Sequence, residues 1–259
     1  ITILLNANTH DDLLFFTNLG KVYQIKMYDI PEGKRATKGK SIVNFLALGS
    51  DERVTSILPV SKTAKNSTPY LMLVTAGGVA KKMSTESFKD VRRSGIIAIR
   101  LDKDDTLESA LLVDKGDEIM LATKKGQSIR FKESDVREMG RTAGGVTAMK
   151  LGKGDVLVGV DVIHKDQKEG ALLVMTANGL GKKTTLKEYK VQKRAGSGIK
   201  TAKITAKTGD LIVAKVVTIE EELIAMSQKG QVIRTELKSV PSLGRQTQGV
   251  SIMKLRAGD

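Results

Sequence analysis

One glycine-rich box dominates the chain: Gly140-Arg141-Thr142-Ala143-Gly144-Gly145-Val146-Thr147-Ala148-Met149-Lys150-Leu151, with a close copy at Gly244-Arg245-Gln246-Thr247-Gln248-Gly249-Val250-Ser251-Ile252-Met253-Lys254-Leu255. Looser versions run from Lys34 to Leu46, Arg92 to Leu101 and Lys193 to Ile204. A second glycine precedes every box: Gly20, Gly78, Gly126, Gly179 and Gly230 stand 19, 17, 19, 19 and 19 residues ahead of the box glycines Gly39, Gly95, Gly145, Gly198 and Gly249. A pattern that returns about every 50 residues restricts a chain to a solenoid, propeller or array, in which each unit buries its apolar face against its neighbours.

Within each period the same strand signals recur. Ile1 to Asn8 and Leu13 to Thr17 read as strands around the turn Asn8-Thr9-His10-Asp11-Asp12. Asn18-Leu19-Gly20 then makes a tight hairpin, and Lys21 to Lys26 returns with alternating polar and apolar residues. The second period predicts strands over Arg53–Val60, Tyr70–Thr75 and Val79–Met83, and the third over Leu107–Val113, Ile119–Thr123 and Gln127–Phe131. The fourth predicts Val156–Ile163, Ala171–Thr176 and Gly181–Thr185, and the fifth Leu211–Ile219, Leu223–Ser227 and Gln231–Thr235. Each box glycine opens a further short strand, such as Val146–Leu151, and Asp51, Asp105, Asp155, Asp210 and Asp259 follow as closing turn residues. No window holds apolar residues at helical spacing for three turns. The expectation is an all-β, propeller-like ring in one domain, residues 1–259, with approximate repeats 1–52, 53–105, 106–155, 156–210 and 211–259.

Charge follows the same period. The chain carries 43 Lys and Arg against 29 Asp and Glu, a net +14, which points to a polyanionic partner. The five segments from turn glycine to box end hold 29 basic and 9 acidic side chains; the rest of the chain holds 14 and 20. One half of every repeat is thus basic, which in a stacked array makes a positive stripe. Glycines let a backbone approach a phosphate closely, and flanking Arg and Lys neutralise it. Such contacts position a duplex without reading its sequence. The candidate DNA contacts are Lys21, Lys34, Arg35, Lys38, Lys40, Lys81, Lys82, Arg92, Arg93, Arg130, Lys132, Arg137, Arg141, Lys182, Lys183, Lys193, Arg194, Arg234 and Arg245, with the box glycines among them. Only 4 Tyr, 5 Phe and no Trp are present, which disfavours single-stranded nucleic acid, whose binders stack bases on aromatic rings.

Other chemistry finds little support. Gly33 to Ser41 resembles a phosphate loop, but five residues separate its glycines where the nucleotide motif has four, and no helix is expected after it. His10 and His164 are the only histidines and there is no cysteine, so no metal site is expected. Asp102, Asp104 and Asp105 lack the glycine and distal Glu of a calcium loop and read as a hairpin turn. Tyr23, Tyr28, Tyr70 and Tyr189 read as packing residues or, for Tyr23, part of a rim strand. No signal peptide or long apolar run occurs, so the expectation is a cytoplasmic protein without membrane contact or catalytic groups.

The runs Asn6-Ala7-Asn8-Thr9-His10-Asp11-Asp12-Leu13-Leu14-Phe15-Phe16-Thr17, Gly20-Lys21-Val22-Tyr23, Ala36-Thr37-Lys38-Gly39-Lys40-Ser41-Ile42-Val43-Asn44-Phe45-Leu46 and Arg130-Phe131-Lys132-Glu133-Ser134-Asp135-Val136-Arg137 resemble the C-terminal DNA-wrapping domain of bacterial type IIA topoisomerases. The likeness is greatest to the A subunit of DNA gyrase, with its topoisomerase IV counterpart a close relative. It implies a six-bladed β-pinwheel, in which neighbouring blades exchange strands, with double-stranded DNA bent around its positive rim. It also implies partners in the remainder of the gyrase A polypeptide and in the ATPase subunit, with ATP, Mg and the DNA-cleaving tyrosine in other domains. The family's heptapeptide Gln-Arg-Arg-Gly-Gly-Lys-Gly has no intact copy here. Its nearest versions are Gln192 to Gly198 and Gly33 to Gly39. The residues alone leave a second class open, a propeller scaffold for acidic protein partners, as regulator-of-chromosome-condensation repeats with similar boxes would be.

Overall fold

A computed structural model describes residues 3, 5–33, 38–60, 70–89, 91–92, 94–167, 169–218 and 221–256. Its strands fall into four four-stranded antiparallel sheets and one two-stranded sheet. The first strand of each hairpin is a short unbroken apolar run: β1 (Asp12–Thr17), β4 (Tyr70–Thr75), β8 (Glu118–Thr123) and β12 (Ala171–Thr176). All are buried along nearly their whole length, as expected of strands covered on both faces. Their return strands are β2 (Lys21–Lys26), β5 (Val79–Ser84), β9 (Gln127–Lys132) and β13 (Leu180–Thr185).

The outer strands of each sheet come from the following repeat. β3 (Val54–Val60) pairs with β1, β7 (Leu107–Val113) with β4, β11 (Leu157–Ile163) with β8, and β15 (Leu211–Val217) with β12. The far edges are closed by the box strands of that following repeat: β6 (Ile96–Ile97) on β2, β10 (Val146–Thr147) on β5, β14 (Ile199–Lys200) on β9 and β18 (Val250–Ser251) on β13. A repeat is therefore not a blade. Each sheet is a hairpin completed by two strands of its successor, the exchange that defines a pinwheel. The fifth hairpin, β16 (Glu222–Met226) with β17 (Val232–Glu236), forms the two-stranded sheet.

The expected strand at Ile1–Asn8 is absent among the described residues 3 and 5–8. Strands at that place in later repeats form on the hairpin of the repeat before. The box strands are also shorter than expected: Val146–Thr147 replaces Val146–Leu151, because only two residues of each box meet the return strand.

The chain divides into two compact units. One holds Ile1–Asp114 with Val136–Val146, the other Lys115–Asp135 with Thr147–Asp259. Strand exchange explains the interleaving, since the box of the third repeat completes the second sheet. In the first unit Leu14, Phe16 and Val22 pack with Leu71, Leu73 and Met83, and the Phe16 and Phe88 rings meet edge to face at 6.0 Å. In the second, Met120 and Ala122 pack with Leu172, Val174, Tyr189 and Leu211.

Glycine is obligatory where hairpin and successor meet. Gly126 has φ +80° and its missing Cβ would stand 2.6 Å from the Ala202 carbonyl; Gly198 has φ +74° and would place one 2.4 Å from the Ser128 carbonyl. Gly198→Ala combines a left-handed cost of about 1–2 kcal/mol with that clash, so we expect a loss of at least about 2 kcal/mol. Gly140→Ala, with nothing within 4 Å, should be near neutral. Urea unfolding of the two variants compares them directly, and equal losses would contradict this account.

A buried carboxylate ties the first unit together. Glu52 accepts from Thr17 Oγ1 at 2.7 Å, Tyr23 OH at 2.9 Å and Gly49 N–H at 3.1 Å, with Lys21 Nζ at 3.8 Å. Burial alone would raise its pKa, but these donors and Lys21 outweigh burial and hold the group below its ordinary 4.5. The same pair, with burial first, pushes the Tyr23 hydroxyl up to about 12. A depressed carboxylate contributes stability above pH 4.5 that is lost as pH falls through its folded value. Glu52→Gln should therefore lower the melting temperature at pH 7 and flatten its fall below pH 4.5, as read from melts across that range.

Candidate nucleic-acid interface

The site is built where each return strand meets the box of the next repeat. The turn glycine donates its N–H to the residue three before it, as from Gly20 to Thr17 at 2.9 Å and from Gly179 to Thr176 at 3.0 Å. Its own carbonyl then accepts two N–H groups of the following box: Ala98 and Ile99 on Gly20, Thr201 and Ala202 on Gly126, Ile252 and Met253 on Gly179. The two glycines that recur in the sequence thus serve one junction between successive repeats. The box glycines Gly145, Gly198 and Gly249 face Ala80, Ser128 and Gly181 carbonyls at 2.4–2.7 Å from an added Cβ, and Gly95 faces the Tyr23 ring. Their smallness is required by this packing, whether or not a phosphate approaches. Gly39 alone has open space around it.

Lys34, Arg35 and Arg93 lie outside the described residues. Lys38, Lys40, Arg92, Lys132, Arg137, Arg141, Lys193 and Arg234 are exposed, and Lys21, Arg130, Arg194 and Arg245 are half-buried. Lys193 pairs with Asp135 at 2.9 Å while its own side chain stays 87% exposed. Arg234 forks onto Glu222 at 2.6 and 2.8 Å. Arg130 is built into the fold: Nε donates to Glu118 at 2.6 Å, and Nη1 donates to the carbonyls of Leu186 and Tyr189. Arg194 turns inward as well, with Nε on the Asp135 carbonyl at 2.9 Å and Nη1 on the Thr147 carbonyl at 2.8 Å.

Four lysines nominated as DNA contacts are buried, and this corrects the reading of them as surface charges: Lys81, Lys82, Lys182 and Lys183 are 0%, 8%, 1% and 5% exposed. Lys81 Nζ donates to the carbonyls of Ala98 at 2.7 Å and Arg141 at 2.5 Å. Lys182 Nζ donates to Gly244 at 2.6 Å, Arg245 at 2.8 Å and Thr247 Oγ1 at 3.1 Å. Lys82 lies over the Tyr70 ring at 5.0 Å, and Lys183 Nζ donates to the Leu237 carbonyl. Burial, helped by the Arg141 charge, pushes the Lys81 ammonium down from 10.5 to about 8. Lys182 also falls to about 8, through burial above all, with Glu188 opposing and Arg245 adding. Both remain charged at neutral pH.

A second set of basic residues escaped the sequence reading. Arg100, Lys150, Lys203 and Lys254 each stand five residues after a box glycine and are exposed. In the first unit Arg100 N–H donates to the Ala143 carbonyl of the next box at 3.4 Å. In the second, Lys150 donates to Gly196 at 2.9 Å and Lys203 to Thr247 at 3.1 Å. Consecutive boxes are thus joined backbone to backbone, with a basic side chain at each joint. The recurrence of Arg or Lys at that one offset was the signal.

Among the described residues no group of three His, Cys, Asp or Glu side chains could hold a metal. His164 Nδ1 instead lies 3.1 Å from the buried Asp117 carboxylate, and Asp105 accepts from Gly77 N–H at 2.8 Å; the Asp102–Asp105 turn links β6 to β7, which belong to different sheets, so it is not the hairpin turn expected.

A family profile described as "DNA gyrase C-terminal domain, beta-propeller" matches residues 11–61, 69–114, 117–164, 171–218 and 221–259. The DNA gyrase A protein of Staphylococcus epidermidis is 39% identical over 258 residues, covering 100% of this chain and 29% of that protein. The Haloquadratum walsbyi gyrase A protein is 40% identical over 255 residues, covering 98% and 30%. The chain spans less than a third of the length of these relatives. Among solved structures, the C-terminal domain of DNA topoisomerase IV superposes with TM-score 0.85 at 26% identity, over 95% of this chain and 76% of that one. The gyrase A C-terminal domain gives 0.82 at 30% identity, over 96% and 80%. Five profile matches in register with five hairpins, on an all-β fold with exchanged strands, place this chain in the DNA gyrase C-terminal domain family.

Proposed function

We propose that this chain binds and bends double-stranded DNA for a type II topoisomerase of the gyrase kind. The observation that carries it is the periodic presentation of basic side chains on linked box loops: Arg100 and Arg141 in the first unit, Lys150 and Lys203 in the second, all exposed. Bending a stiff duplex through about half a turn within some 40 base pairs costs on the order of 10 kcal/mol, so contacts must be spread over many loops. The repeat supplies that multiplicity. Phosphate contacts carry no base information, so sequence preference is weak.

In the whole protein the domain presents a bent segment to the remainder of the gyrase A polypeptide and to the ATPase subunit, where ATP, Mg and the cleavage chemistry reside. No helix among the described residues is long and apolar enough to cross a membrane, and we place the protein in the bacterial cytoplasm, on DNA. A gyrase rather than a topoisomerase IV role is favoured by the 39–40% identity to gyrase A proteins over nearly the whole chain.

If about 8 phosphates are neutralised, log K for a duplex should fall against log salt with a slope near −7. A flat salt response, or strong preference for one short sequence, would sink the proposal. Distributed contacts should also fail gradually. Arg137→Glu with Arg141→Glu should weaken binding in part, while charge reversal in three boxes should abolish bending in a circularisation assay. Complete loss from the first pair alone would point to one local site instead.

A further inference from the structure

The third residue after each of the first four turn glycines lies beneath the box of the next repeat. In the first and third repeats it is Tyr23 under Gly95 and Ile129 under Gly196; in the second and fourth it is Lys81 under Arg141 and Lys182 under Gly244 and Arg245. The two boxes above a lysine are the two close copies of the Gly-Arg motif. A buried ammonium requires several oxygen partners to offset its lost hydration, and here boxes supply them: the Ala98 and Arg141 carbonyls for Lys81, the Gly244 and Arg245 carbonyls and the Thr247 hydroxyl for Lys182.

What lies beneath decides what the box arginine does. The Ile129 side chain offers no donor, and Arg194 itself folds inward onto the carbonyls of Asp135 and Thr147. Over Lys81 that role is taken from below: the ammonium holds the Ala98 and Arg141 carbonyls, and the Arg141 residue is exposed. Arg245 over Lys182 is intermediate, with Nη1 on the Lys200 carbonyl at 3.2 Å and Nε 3.9 Å from Glu188. The buried charge also turns loop carbonyls, which would repel a phosphate, toward the protein interior.

We propose that Lys81 is a positioning residue for DNA binding, a buried clamp that fixes the loop carrying Arg141 and keeps that guanidinium available to a phosphate; Lys182 likewise fixes the loop carrying Arg245. This rests on the duplex-binding reading above. Lys81 touches no DNA. Its effect passes through the arginine.

The test is a double-mutant cycle on the 259-residue protein, with a fluorescent duplex read by anisotropy across a salt series. Lys81→Met and Arg141→Met should each weaken binding by about five- to tenfold and reduce the salt slope by about 1, the loss of one phosphate contact. The double variant should be no weaker than Arg141→Met alone. Additive losses, or no loss from Lys81→Met while thermal melts show it folded, overturn the clamp. Because the chain has no cysteine, Lys81→Cys can be aminoethylated in denaturant and refolded, which restores an ammonium at that position alone. Recovery of affinity with the aminoethyl group, and none with a neutral carboxamidomethyl group, is the expected result. Equal affinity of the two refolded forms overturns the proposal even if Lys81→Met does not fold. Failure of the unmodified protein to bind the duplex would instead remove the DNA-binding reading itself, and the clamp's role with it.

Discussion

The structure depends on a close contact that admits only hydrogen at one Cα. Where a turn glycine passes the box of the next repeat, an added Cβ would lie 2.6 Å from Ile99 O at Gly20, 2.6 Å from Ala202 O at Gly126 and 2.2 Å from Met253 O at Gly179. The same glycine carbonyl accepts two N–H groups of that box. A hairpin of two short strands is marginal in water, and it becomes a stable sheet here only because its neighbour in sequence supplies both edges. Stability and spacing of the boxes are therefore one property: the contact that completes a sheet also sets where the next basic loop stands.

Beneath the loops the protein uses three answers to one packing problem. Tyr23 fills the space with a ring and sends its hydroxyl to Glu52; Ile129 fills it with hydrocarbon; Lys81 and Lys182 fill it with a charge. The charged answer is costly unless every N–H of the ammonium finds an oxygen, and Lys182 finds three within 3.1 Å. Such a site tolerates little rearrangement, since movement of the loop would leave the charge without partners. A buried lysine thus constrains the glycine-rich loop above it.

Much of this was legible in the residues. Runs such as Leu71-Met72-Leu73-Val74 marked central strands because burial on both faces demands apolar side chains at consecutive positions, and turn glycines marked hairpin ends because φ is positive there. What could not be read was the offset. Periodicity places Gly20 and Gly39 in one repeat, yet Gly20 serves the box at Gly95, because strand pairing is long-range and leaves no local trace. Lys81 and Lys182 misled for a related reason. The adjacent Lys81 and Lys82 were counted with the periodic surface charge, whereas Lys81 is covered by a loop contributed some 60 residues later.

Burial of these lysines changes the meaning of the charge count. The basic half-repeats owe part of their excess to side chains that hold loops rather than face solvent, and Arg130 and Arg194 likewise spend their donors on main-chain carbonyls. Such internal charges still contribute to the field outside, since only partial screening separates them from the surface, but they cannot release a counterion by touching a phosphate. On the proposed duplex-binding reading, direct contact would fall instead to side chains such as Arg141, Lys150 and Lys203, each on a loop fixed by backbone bonds to its neighbours. The division suits a surface that must hold a bent duplex without reading it. In that proposal field strength would attract the polyanion from any sequence, while a few rigidly spaced cations, each weak alone, would determine the path along which it bends.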